Sequence, residues 1–146
     1  LRQAFSVIRT NDSIMVASTG LSDPFEDIDE ANNGFRLEII AETKADIEND
    51  VSKSWLFKLV YSISQQAAHS GQFFEFISNH DVITMELFAE QDGLEEFQDE
   101  NGIVGVMIGV EHPNLPKHIQ FPGEEIILAT VQILTPDEFS SIINPD

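Results

Sequence analysis

The nine residues from Gly102 to Val110, GIVGVMIGV, carry no polar side chain. A near-continuous apolar run of this length reads as a strand covered on both faces of its sheet. That reading constrains the rest of the chain, because such a strand needs packing above and below it. At 146 residues the chain fits one domain and can bury roughly 70% of its unfolded surface, so a full core forms without staples. No apolar run approaches the roughly 18 residues of a membrane span, and no charged-then-apolar leader is read at the N-terminus, so a soluble chain with no membrane partner is expected.

The remaining segments supply that packing. Ala4 to Arg9 and Ser13 to Ser18 read as strands joined at Asn11-Asp12, a pair suited to a hairpin turn. Thr19-Gly20-Leu21-Ser22-Asp23-Pro24-Phe25 concentrates turn chemistry: Gly20 accepts positive φ, Ser22 and Asp23 can bond nearby amides, and Pro24 fixes φ. Asp23 to Gly34 reads as a surface loop. Phe35 to Thr43 reads as a strand with Phe35, Leu37, Ile39 and Ala41 on one face and Arg36, Glu38, Ile40 and Glu42 on the other. A helix from Ser52 or Ser54 to His69 repeats Trp55, Leu56, Leu59, Val60, Ile63 and Ala67 at three- and four-residue steps, and Gly71 supplies its stop.

Gln72 to Ile77 fits either a further helical turn or an extended piece. Val82 to Phe88 and Ile126 to Leu134 read as strands, Glu90 to Asn101 as an acidic loop, and His112 to Lys117, with Pro113 and Pro116, as a connector. Thr135 caps a closing helix with Pro136 at its first position and Glu138 at its third, while Leu134 and Phe139 are spaced as a hydrophobic staple. Phe139, Ile142 and Ile143 are expected to dock on the sheet. The strands do not alternate regularly with helices, so a single α+β domain with a mixed sheet flanked by helices is expected.

Charge narrows the function. Against 26 acidic residues there are 7 basic ones, a net charge of −19, which opposes the phosphate backbone of nucleic acid. Between Lys58 and Lys117 no Lys or Arg occurs while ten acids do. That region is either a solvated surface or a docking face for a basic partner. There are no cysteines, so disulfides, thiolate metal sites and Cys nucleophiles are excluded and a reducing, cytoplasmic setting is the simplest.

No glycine pattern for phosphate is present, and the acids from Asp27 to Glu38 lack the ligand and the glycine that an EF-hand loop needs at its fifth and sixth positions. No metal, cofactor or catalytic residue is therefore assigned. The four histidines lack helical metal-site spacing. His80-Asp81 is the one adjacency suited to acid/base chemistry, and an acid-rich hydrolase or metal-dependent enzyme built on it is the alternative to a binding role. Phe73, Phe74 and Phe76 cannot all point one way on a helix or strand. With His80, Asp81, Glu95, Glu96, Asp99 and Glu100 they are the candidate partner-binding residues.

Gly20-Leu21-Ser22-Asp23 after a strand, Gly34-Phe35-Arg36-Leu37-Glu38 opening the next, Trp55 heading a helix that ends near His69, and the strand from Val82 to Phe88 occur in this order. Over roughly residues 14 to 134 the chain so resembles Suppressor of Fused domains, best the small bacterial members. The resemblance implies that family's N-terminal-domain fold, with Gly20, Leu21, Ser22, Asp23 and Trp55 as structural motif residues. It also implies a non-enzymatic protein-binding module in the cytoplasm. Bacterial relatives resemble immunity proteins that neutralise toxins by direct contact, and an acidic surface suits a basic toxin. The animal member clamps a peptide between two domains, and this chain is expected to correspond to one of them. Oligomeric state is left open.

Overall fold

Side-chain alternation shapes the first third of the chain. In the computed structural model, which describes residues 4–23, 34–47, 49–88, 94–122 and 124–143, strands β1 (Ala4–Arg9) and β2 (Ile14–Thr19) form the expected hairpin. The Thr10 hydroxyl closes its turn, accepting from the Ser13 amide at 3.0 Å. Strand β3 (Leu37–Thr43) pairs antiparallel with β2. It begins later than the alternation from Phe35 suggests, because Arg36 sits at φ 63°, a left-handed conformation that interrupts a strand. Leu37, Ile39 and Ala41 are buried on one face and Ile40 on the other.

Helix α1 (Trp55–Ser70) is bounded by its own caps: the Ser54 hydroxyl accepts from the Phe57 amide at 3.2 Å, and Gly71 ends it in the left-handed conformation. Its Leu56, Val60 and Ile63 are wholly buried and the helix packs across β2 and β3, each such side chain contributing about 1.5–3 kcal/mol of burial. The undecided stretch after Gly71 is helix α2 (Phe73–His80), which buries Phe73 and Ile77 one turn apart. Strands β4 (Ile83–Phe88) and β5 (Ile103–Val110) pair antiparallel. Within the acidic segment between them, Glu95–Phe97 forms a single 3-10 turn.

Two later features depart from the sequence reading. Strand β6 (His118–Phe121) extends beyond the connector and pairs with the first half of β7 (Glu124–Leu134), which begins two residues before Ile126. Four residues in which His118 and Gln120 alternate with Ile119 and Phe121 give too short a pattern to register as a strand. The seven strands form one sheet in the order β1-β2-β3-β7-β5-β4, with β6 also on β7. Only β3 and β7 run parallel. The sheet is mixed and the fold is α+β, as expected.

The closing helix α3 (Pro136–Ile143) has the anticipated capping box: Thr135 Oγ1 accepts from the Glu138 amide at 3.2 Å, and Glu138 Oε1 accepts from the Thr135 amide at 2.9 Å. Only part of its apolar face docks. Ile142 and Ile143 remain 40% and 52% exposed, so the expectation that they pack on the sheet is corrected. Phe139 does the docking, against Gly105 of β5, where an added Cβ would lie 2.3 Å from the ring. The central strand is thus covered on one face by the α1 and α2 layer and on the other by α3.

This contact is testable. Gly105→Ala is expected to lose about 1–3 kcal/mol of stability by overpacking, with faster amide exchange along α3. Adding Phe139→Ala should restore space and make the double variant's loss smaller than the sum of the two single losses. An additive pair would show that Gly105 and Phe139 do not share this contact.

Candidate functional site

Where the two halves of the sheet meet, they also part. β3 and β7 pair over four residues, from Leu37↔Ile127 to Ile40↔Thr130. Beyond that point Ala41 pairs only with β2, as do Glu42 and Thr43, while Val131 to Leu134 pair only with β5. Two strand edges therefore diverge and face one another with no strand between them. A cleft of about 410 Å³ occupies the gap. Trp55, Leu56 and Leu59 of α1 line it, together with Phe97 and the turn from Val110 to Pro113. A smaller recess of about 210 Å³ shares Trp55 and Leu59 and continues toward Phe88 and Leu94.

Its best-defined polar contact is the pair Glu42 and His112, with Nε2 and Oε1 3.0 Å apart. The Asn114 amide donates to His112 Nδ1 at 3.0 Å, which leaves Nε2 to carry the proton toward Glu42. Ser13 Oγ donates to the other carboxylate oxygen at 2.9 Å. The hydrogen bond from His112, then that from Ser13, holds Glu42 below the ordinary value of 4.5 against the opposing effect of partial burial. Both ring nitrogens of His112 are engaged, so the pair acts as a latch fastening the 111–113 turn to β3. The partners lie 70 residues apart, and no local pattern links them in the sequence.

A second carboxylate joins the two segments that carry the family resemblance. Glu38 accepts from Ser18 Oγ at 2.7 Å, from the Gly20 amide at 3.2 Å, and from the Ser22 amide at 3.0 Å and hydroxyl. Ser18 Oγ in turn accepts from the Ile39 amide at 2.8 Å. Ser22 thus bonds a distant carboxylate where the sequence suggested a neighbouring amide. Gly34, at φ 91°, lets the chain pass close to Asp23, whose carbonyl would lie 2.4 Å from an added Cβ. The Phe35 amide donates to the Leu21 carbonyl at 3.1 Å, and Leu21 is buried. The arrangement is structural: both carboxylate oxygens of Glu38 accept from groups of the Ser18–Ser22 turn. The stretch from Asp27 to Glu38 that falls short of an EF-hand loop includes residues 27–33, which lie outside the described residues, as do Pro24 and Phe25.

The candidate contact residues are spread over the molecule. Phe73 is 9% exposed and belongs to the core, and Phe74 lies beneath Arg36, whose guanidinium carbon is 3.7 Å from the ring centroid. Phe76 is exposed and contacts the ring of His80 at 4.6 Å between centroids. Asp81 takes φ 71° at the end of α2, and its carbonyl accepts from Lys117 Nζ at 2.8 Å. Glu95, Glu96, Asp99 and Glu100 are exposed beyond the other end of the β4–β5 pair, about 17 Å along it at the usual strand rise. The Asp99 carboxylate accepts from the Asn101 and Ile103 amides. Of the candidates, Glu96 and Trp55 reach the cleft.

Among the described residues no group of three or more His, Asp or Glu side chains is placed to hold a metal ion, and no helix is long and apolar enough to cross a membrane. No protein-family model matches the chain, and no curated protein matches its sequence.

Two measurements check these carboxylates. Because Glu42 is held low in the folded state, its contribution is present above the unfolded carboxylate value and is lost as pH falls through the folded one. The stability difference between the unmodified protein and Glu42→Gln, from urea melts, should therefore shrink below a pH of about 4.5. A difference constant from neutral pH down to about 3 would contradict the latch. Glu38→Ala strands the donors of Ser18, Gly20 and Ser22 and is expected to cost about 1–3 kcal/mol. Unchanged stability with unchanged exchange of the Gly20 and Ser22 amides would refute the role given to Glu38.

Proposed function

We propose that this chain is a non-enzymatic protein-binding module of Suppressor of Fused type that receives an extended segment of its partner in the cleft between β3 and β7. The observation that carries the reading is the parting of the sheet after Ile40↔Thr130. Peptide groups alternate in direction along a strand, and the Ile127 amide donates across the seam to the Arg36 carbonyl. By that alternation the peptide groups of Glu42 on one side and Ile133 on the other point into the gap. Strand edges of this kind are satisfied by adding a strand, which gives affinity through main-chain bonds and selectivity through alternate side chains.

The acidity of the chain favours a basic partner, since complementary charge speeds encounter and disfavours wrong partners. In the immunity-protein reading that the resemblance supplies, the partner is a basic toxin held by direct contact, inside the cytoplasm. The enzymatic alternative rests on His80 and Asp81. His80 lies against Phe76, and Asp81 contributes its carbonyl to Lys117, so neither is presented toward the cleft.

Site-specific photocrosslinking tests the proposal. Benzoylphenylalanine at Thr43 or at Gln132 should give the same adduct in extracts of the source cell, mapping to one contiguous segment of one protein. At Gln66, on the exposed face of α1, it should not. Adducts from Gln66 but none from the two cleft positions would remove the cleft as the docking site.

A further inference from the structure

The docking cleft has a chemical character of its own. Among the described residues it is lined by Glu42, Glu96 and Glu111 and by no Lys or Arg. Glu42 is latched to His112 and Ser13. Glu96 and Glu111 are exposed and have no hydrogen bond or ion pair among the described residues. A recess with low-dielectric walls and uncompensated charge of one sign focuses its field outward and concentrates the opposite charge. On the side of α1 the lining is apolar, with the buried Leu56 and Leu59 behind the partly exposed Trp55 and Phe97. Both rings lie on the α1 side of the cleft, where they meet the apolar side chains of an entering strand.

The two sides of the gap differ. α1 packs on the face that carries Ala41 and Val131, while the Glu42 side chain and the turn holding Glu111 and His112 belong to the opposite face. A strand entering the gap presents successive side chains to opposite faces. We infer that the segment bound in the cleft alternates apolar and cationic side chains, the apolar ones turned toward α1 beside Trp55 and Phe97, and an arginine or lysine turned to the opposite face toward Glu111, with Glu96 lining the same cleft. This inference rests on the docking role proposed above and adds the partner's chemistry. Its support is charge complementarity: beside the latched Glu42, two exposed carboxylates, Glu96 and Glu111, and among the described lining residues no Lys or Arg, in a chain whose net charge is −19.

Trp55 is the chain's single tryptophan, so its emission reports directly on this cleft. The probes are three acetylated and amidated pentapeptides, Val-Arg-Val-Arg-Val, its lysine counterpart, and its citrulline counterpart, which keeps the shape of arginine without the charge. The arginine and lysine peptides are expected to shift Trp55 emission and to bind about tenfold more tightly than the citrulline peptide. Raising salt from about 0.05 M to about 0.5 M should erase most of that difference.

Glu96→Gln with Glu111→Gln should weaken the cationic peptides by about tenfold, as for two solvent-facing ion pairs, while leaving the citrulline peptide and the melting temperature unchanged. Equal binding of all three peptides, or cationic binding indifferent to the two substitutions, would overturn the charge reading and leave strand docking in place. No response of Trp55 and no amide shifts in β3 or β7 with any peptide would overturn both.

Discussion

The four-residue parallel seam between β3 and β7 is the constraint from which the rest of the structure follows. On one side of it lies an antiparallel meander, β1-β2-β3; on the other, β7 with β5, β4 and β6. Each half satisfies its own backbone bonds locally, and only Leu37 to Ile40 and Ile127 to Thr130 join them. Helix α1 packs across β2 and β3, and its Leu56, Leu59 and Val60 join one core cluster with side chains of β5 and β7, so the two halves share a single interior. The same shortness produces the cleft: had pairing continued through Thr43 and Ile133, no gap would exist.

Polar chemistry fastens each end of β3 to its neighbours. Near its start Glu38 gathers the Ser18 hydroxyl and the Gly20–Ser22 turn, and near its end Glu42 ties the hairpin at Ser13 to the 111–113 turn through His112. Both carboxylates sit on the face of β3 away from α1, a position where alternation calls for polar residues and where water would ordinarily serve them. Satisfied donors on both carboxylates hold one registry of the strand, and a cleft wall fixed in this way would be pre-organised for the strand docking proposed above.

Much of this architecture was legible in the sequence because it rests on local rules. Alternation located β3, apolar and strand-forming segments between turn signals located β1, β2, β4, β5 and β7, caps at Ser54, Gly71 and Thr135 bounded two helices, and the apolar run at β5 announced packing on both faces. What escaped was non-local. β6 is too short to carry a pattern, Arg36 shortens β3 through a backbone angle that no neighbouring residue signals, and Ile142 and Ile143 look like core in a helix whose docking is limited to Phe139. The candidate site was read only in part: Trp55 and Glu96 were singled out for other reasons, while Glu42, Glu111 and His112 come together through tertiary pairing. The exposed acids and aromatics drew attention to surfaces, whereas the cleft arises from where two strands stop pairing.

The seam also sets a schedule for synthesis. Ninety residues separate Leu37 from Ile127, so at roughly 5 to 20 residues per second the meander leaves the ribosome several seconds before its partner strand exists. Throughout that interval β3 is an open edge bearing Leu37, Ile39, Ile40 and Ala41, the kind of template on which nascent chains aggregate. Glu38 and Glu42 flank Ile39, Ile40 and Ala41, and like charge on neighbouring chains keeps such edges apart. The two carboxylates that later lock the finished sheet would first act as its gatekeepers.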